Sequence, residues 1–355
     1  MLKTVILILC LAASGSAQAN PTLPRPTGPF AIGRTWFAAG KESFMLFYPA
    51  RQSGTPAPYI EEPAVREIAK SGYYDQSAET IEGWAHMKTQ ASENASALAG
   101  PFPLIVFLPG AGVFAFHYTS FAEELSSHGY VVAVADYFSL RAPERTYKQN
   151  DYGAMENDMA RVAIAGIDAL KGDSGWKKRI RFDRVGAVGH SIGGAAAIGA
   201  ARIDKRIRAS VDMDGAPFGE SLKGAAAPAL VLRSKPIYSD EELKKRGRTR
   251  EQMDKAGEEA RKTWMDFADK SGKMPVEILS VKGTGHFSFT DAPFVMSDTI
   301  TRFGGKIIAP ERGEQVVSSC LLGFFDAHLQ GKSRSDGLEQ CRKFEEIVPS
   351  VHPAK

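Results

Sequence analysis

The sequence predicts an α/β protein with a mostly parallel central sheet flanked by helices. Three observations predict it. From residue 101 onward, short apolar runs alternate with longer stretches of helical periodicity, which implies crossover connections between parallel strands. Residues 103–108, Pro-Leu-Ile-Val-Phe-Leu, hold no polar position, as suits a strand covered on both faces. A serine between glycines, Ser191, stands where a strand pattern gives way to a helix pattern. At 355 residues, 43% hydrophobic and 24% charged, the chain can bury a substantial core. Its net charge of +3 demands neither nucleic acid nor an anionic membrane as partner.

The elements follow in order. Lys3, the apolar run 5–13 and the small-x-small pattern Ala17-Gln18-Ala19 read as a secretory signal peptide over residues 1–19, cut before Asn20. Cys10 would leave with it. Residues 20–355 then form a single domain in a secreted or periplasmic protein. The proline-rich residues 20–30 read as an extended lead-in, and residues 44–48 as a strand ended by Pro49. Residues 51–100 lack strong periodicity and are expected to be a surface excursion with one or two short helices. Beyond 103–108, strands are expected at 131–135, 185–189, 209–213, 229–232 and 276–281. Helices are expected at 121–128, with Gly129 as C-cap, and at 152–170, 192–201 and 316–330. The charged stretch 240–273 reads as a helical insertion with a solvated face, in preference to a lid. Cys320 and Cys341 make an even pair, expected in an oxidising compartment to be a disulfide tying the last helix to the C-terminal tail. No C-x-x-C occurs, which argues against a redox motif or zinc knuckle.

The chemistry concentrates at three loops. Gly189-His190-Ser191-Ile192-Gly193-Gly194 fits G-x-S-x-G in the strand–turn–helix setting that the motif requires. A reversal this sharp strains the serine and leaves no room for side chains two residues either side, hence Gly189 and Gly193. Ser191 is the expected nucleophile, and His190 reads as packing. Pro109-Gly110-Ala111-Gly112 closes the strand 103–108, where this kind of site takes one oxyanion donor; Ala111 is the candidate, and Ile192 the other. Phe114, Phe116 and Tyr118 line a pocket or belong to the core. A nucleotide-binding reading of Gly110-Ala111-Gly112 fails for want of a third glycine at the required position. The base should follow the serine. His286, in a loop after the strand 276–281, fits better than His328 in a helix or His352 in the tail. For the acid, Asp214 after the strand 209–213 is favoured, with Asp240 and then Asp212 as alternatives.

At these residues the sequence resembles the platelet-activating-factor acetylhydrolase group of α/β hydrolases, within a wider set that includes dienelactone-hydrolase-like and cutinase-like enzymes. The matching stretches are 189–194, Val211-Asp212-Met213-Asp214-Gly215, the spacing His286-x-x-Phe289-x-Asp291 and, upstream, 107–112. The resemblance spans about residues 30–330. It implies the α/β-hydrolase fold, Asp214 as the acid, Ala111 and Ile192 as oxyanion donors, and hydrolysis of short or phospholipid-like acyl esters without metal or cofactor. It implies a small-molecule or lipid ester as partner, with no nucleic acid and no stable membrane insertion. Two alternatives accompany it: a polyester, cutin or lactone hydrolase, and an inactive hydrolase-fold binding protein. One departure stands out, since the loop that usually opens with His-Gly here opens with Pro109-Gly110.

Overall fold

The structure is a computed structural model that describes residues 22–52, 54–71, 76–138, 145, 147–148, 150–296, 307–332 and 337–350. The expected signal peptide over 1–19 lies outside them. The strands are β1 (Ala31–Ala39), β2 (Glu42–Ala50), β3 (Pro56–Pro58), β4 (Lys88–Glu93), β5 (Phe102–Leu108), β6 (Val131–Ala135), β7 (Ile180–His190), β8 (Ile207–Met213), β9 (Ala229–Lys235), β10 (Val276–Lys282) and β11 (Ile347–Pro349). They form one sheet in the order β11-β10-β9-β8-β7-β5-β6-β2-β1-β4-β3. The helices used below are α1 (Glu62–Ser71), α2 (Ala78–His86), α3 (Thr119–Ser127), α4 (Tyr152–Gly172), α5 (Ile192–Ile203), α6 (Asp240–Lys245), α7 (Arg250–Ser271), the single turn α8 (Ala292–Val295) and α9 (Pro310–Phe325).

The six central strands from β6 to β10 run parallel, with register shifts where β7 meets β5 and β8. Side chains alternate between two faces. Ile105 and Phe107 enter one core with α3 and α9, whereas Leu104, Val106 and Leu108 enter another with α4 and α5. Two buried faces are why this strand reads as an unbroken apolar run. After β5 the chain lays β6 on one flank, then returns to lay β7 on the other. The order reverses there, and the loops leaving β5 and β7 diverge over the carboxyl edge. Open α/β sheets place their binding crevice at such a point.

One strand goes beyond the sequence reading and one expectation needs correction. The chain after the proline-rich lead-in forms a strand, β1, paired along its length with β2. Residues 51–100 are not a surface excursion. Besides α1 and α2 they supply β3 and β4, and β4 joins the sheet beside β1. Tyr59, Ile68, Ile81 and Trp84 are buried in the same core as α3 and α9, and the Trp84 indole N–H donates to the Val295 carbonyl at 3.3 Å. Their apolar residues are too widely spaced to give a periodic signal, yet each finds the common core.

The stretch 240–273, expected as a charged helical insertion, holds α6 and α7. Both start with capping boxes, Ser239 with Glu242 and Thr249 with Gln252. As the crossover between β9 and β10, α7 buries Trp264 and Phe267 on Ile198, Val231 and Ile278. Cys320 on α9 is bonded to Cys341, both fully buried. Among the described residues no helix is long and apolar enough to cross a membrane.

Candidate active site

The end of β7 and the start of α5 meet at Ser191, whose backbone has φ 57° and ψ −126°. A non-glycine residue tolerates this left-handed conformation only where its surroundings impose it. They do so here. A methyl group on Gly189 would fall on the Gly193 carbonyl, and one on Gly193 would fall on the carbonyls of Leu108 and Pro109. The elbow is therefore pressed against the end of β5. The Ser191 N–H donates to the Met213 carbonyl at 2.9 Å, which lashes the elbow to β8.

Asp214 follows β8, also with a left-handed backbone, φ 58°. Its N–H donates to the Leu232 carbonyl at 2.7 Å. Its Oδ1 accepts from the Ser234 N–H at 2.7 Å, and its Oδ2 accepts from His286 Nδ1 at 2.8 Å. Burial opposes its ionisation, but the His286 hydrogen bond and charge, with the Ser234 amide, hold its carboxyl below the usual range. His286 opens a 3₁₀ turn (His286–Phe289) four residues past β10, and its side chain is 42% exposed. Carboxylate and imidazole thus come from the ends of different strands. Among the described residues the imidazole is hydrogen-bonded to Asp214 and not to Ser191.

The structure separates the three candidate acids. Asp212 points under the elbow, fully buried, with Oδ1 accepting from the Gly215 N–H at 2.6 Å. Burial raises its carboxyl well above the usual range. Asp240 starts α6, is 90% exposed, and pairs with Arg250 at 2.7 Å. Only Asp214 meets His286.

Ala111 lies exposed in the turn after β5, and Ile192 is the first residue of α5, where helical N–H groups face outward. The Gly110 N–H is already used, donating to the Tyr118 hydroxyl at 2.8 Å. Phe114 and Phe116 line a small apolar pocket with Trp36, Met45, Tyr59 and Ile68. Tyr118 does not line it.

Three side chains gain roles that the sequence did not assign. His190 is fully buried, with Nδ1 3.0 Å from the Tyr118 hydroxyl and Nε2 2.9 Å from the His286 carbonyl. Asp291 caps α3, accepting from the N–H groups of Thr119 at 3.1 Å and Ser120 at 3.2 Å and from the Ser120 hydroxyl. Phe289, between His286 and Asp291, is core. The spacing of these last three therefore belongs to one loop that carries the imidazole, anchors in the core and ends on a helix N-terminus. The available signal was that buried tyrosines and histidines must find polar partners, but it does not say which.

A family model described as platelet-activating factor acetylhydrolase, isoform II, matches residues 15–174 and 167–343. The chain is 23% identical to a platelet-activating factor acetylhydrolase of Gallus gallus, over 96% of this chain and 90% of that one. It is 22% identical to another from Cavia porcellus, over 74% and 73%. A solved ferulic acid esterase from Streptomyces cinnamoneus matches with a TM-score of 0.71 at 24% identity, covering 93% of this chain and 99% of that one. At that identity the likeness concerns the fold.

Proposed function

Since the chain belongs to the platelet-activating factor acetylhydrolase, isoform II, family, with an α/β-hydrolase fold, we propose that it cleaves short-chain or phospholipid-like acyl esters through Ser191, His286 and Asp214. It is a carboxylic-ester hydrolase. Ser191 Oγ attacks the ester carbonyl while His286 Nε2 takes its proton. Asp214, bonded to Nδ1–H, fixes the tautomer that presents Nε2 as base and stabilises the imidazolium formed. The N–H groups of Ala111 and Ile192 receive the oxyanion, aided by the N-terminus of α5. His286 then protonates the leaving alcohol, and water clears the acyl-enzyme by the same steps in reverse.

The observation that carries this reading is the left-handed Ser191 lashed by its own N–H to the strand that ends in the His286-bonded Asp214. Secretion, with residues 1–19 as leader and 20–355 as one hydrolase domain, belongs to the same proposal.

Ser191→Ala should lower p-nitrophenyl acetate and butyrate hydrolysis by at least ~10⁴-fold while thermal unfolding stays within a few degrees of the parent. A fluorophosphonate probe should label the parent at Ser191 and leave the variant unlabelled. Unchanged turnover in a folded Ser191→Ala protein would refute the assignment.

A further inference from the structure

Beneath the proposed reacting groups runs a second chain of hydrogen bonds. The Gly110 N–H donates to the Tyr118 hydroxyl, which lies 3.0 Å from His190 Nδ1, and His190 Nε2 lies 2.9 Å from the His286 carbonyl. The partners dictate the directions. A carbonyl only accepts, so Nε2 carries the hydrogen. Nδ1 then accepts from the Tyr118 O–H, whose oxygen takes the Gly110 amide. Tyr118 and His190 are both fully buried. The fit is close: a methyl on Gly110 would stand 2.8 Å from His190 Nδ1. The His190 and His286 rings lie 4.5 Å apart, centroid to centroid.

This chain joins three places: the oxyanion loop, the residue before the nucleophile, and the backbone of the base itself. The geometry points to His190 as a positioning residue, a strut that with Tyr118 holds the oxyanion loop and the His286 loop in fixed relation to Ser191. The inference rests on the Ser191–His286–Asp214 reading. It also accounts for Gly110, whose amide serves the strut and so leaves Ala111 to face the substrate. Burial holds the His190 imidazole down to about 3, so that it stays neutral beside the base.

The two halves can be cut separately. Tyr118→Phe releases the oxyanion loop, whose donor serves every ester alike. It should lower kcat/KM by ~10–100-fold, and by one factor for p-nitrophenyl acetate and an alkyl acetate. His190→Asn keeps an acceptor near Nδ1 for Tyr118 but cannot reach the His286 carbonyl. A base out of line fails most where the leaving group needs its proton. Both esters lose the base that activates Ser191, but only the alkyl ester also loses its leaving-group proton, so its loss should exceed that of p-nitrophenyl acetate by ~10-fold or more. His190→Gln, whose amide reaches the Nε2 position, should restore the parent's ratio between the two esters. Rates are taken per phosphonate-titratable site, which removes any effect of misfolding. The strut is overturned if both Tyr118→Phe and His190→Asn stay within twofold of the parent on both esters. It is equally overturned if His190→Asn lowers both esters by one factor. Ser191→Ala, run alongside, separates the outcomes: turnover near the parent's there refutes the nucleophile, whereas a loss of ~10⁴-fold or more in Ser191→Ala with neutral strut variants refutes the strut alone.

Discussion

The carboxyl rim of the sheet and the layer directly under it use the same residue types for opposite ends. At the rim, His286 is 42% exposed and bonded to an ionised Asp214. One layer down, His190 and Asp212 are fully dry, the imidazole pushed down to about 3 and the carboxyl pushed well up. Two carboxyls two residues apart are therefore shifted in opposite directions, because both are buried but one meets an imidazole and the other a single amide. Groups proposed to move protons sit where charge is tolerated. Groups that hold geometry sit where charge is suppressed and each hydrogen bond is stiff.

The comparison breaks most plainly at the two aspartates. Asp214→Asn should lower kcat by ~10³–10⁴-fold, since an amide cannot hold the imidazole in the required tautomer or stabilise its cation. Asp212→Asn keeps the acceptor for Gly215 and removes no contact to His286, so kcat should stay within ~10-fold. Steady-state kinetics on p-nitrophenyl butyrate decides, and equal losses would erase the distinction between rim and under-layer. A smaller effect is expected away from both. Cys320→Ser with Cys341→Ser opens a bridge 21 residues apart in sequence. Urea unfolding should show a loss of about 3 kcal/mol, with kcat per titrated site nearly unchanged.

The smallest effect concerns pH. His190 and His117 both titrate near about 3 in the fold, against 6.5 when unfolded. The unfolded chain therefore takes up protons that the native chain refuses. Their contribution is complete above pH 6.5 and is lost as pH falls from there toward 3, at about 1.4 kcal/mol per pH unit for each imidazole. Glu123, raised to about 8 by burial, acts in the opposite sense. A difference measurement removes it. Between pH 6.5 and 4.5, unfolding free energy should fall less steeply in His190→Gln than in the parent, by one proton's slope.

What the sequence reveals follows the range of the interactions involved. The elbow is local, with five residues and a strand and helix on either side, so Ser191, Gly189 and Gly193 can be read directly. His286 is legible from its loop and its place after the serine. β1 is harder. It buries Arg34 in a stretch without clean alternation, and Arg34 donates to the Pro58 carbonyl, which is far along the chain. β4, Lys-Thr-Gln-Ala-Ser-Glu, hides Thr89, Ala91 and Ser92 behind a polar composition. The strut is least legible of all. Tyr118 and His190 are 72 residues apart, and Asp291 meets its donors across more than 170. Only the closed fold brings such partners together.

One strand pairing bears on how the chain is made. β2 pairs with β1 as a hairpin, but its other edge, Phe44 to Phe47, waits for β6, where Phe44 faces Ala135. During synthesis that edge leaves the ribosome long before its partner. Until β6 arrives, a bare row of amides and carbonyls beside Phe44, Leu46 and Phe47 invites pairing with other nascent chains, and trigger-factor-type holdases should be needed most in this interval.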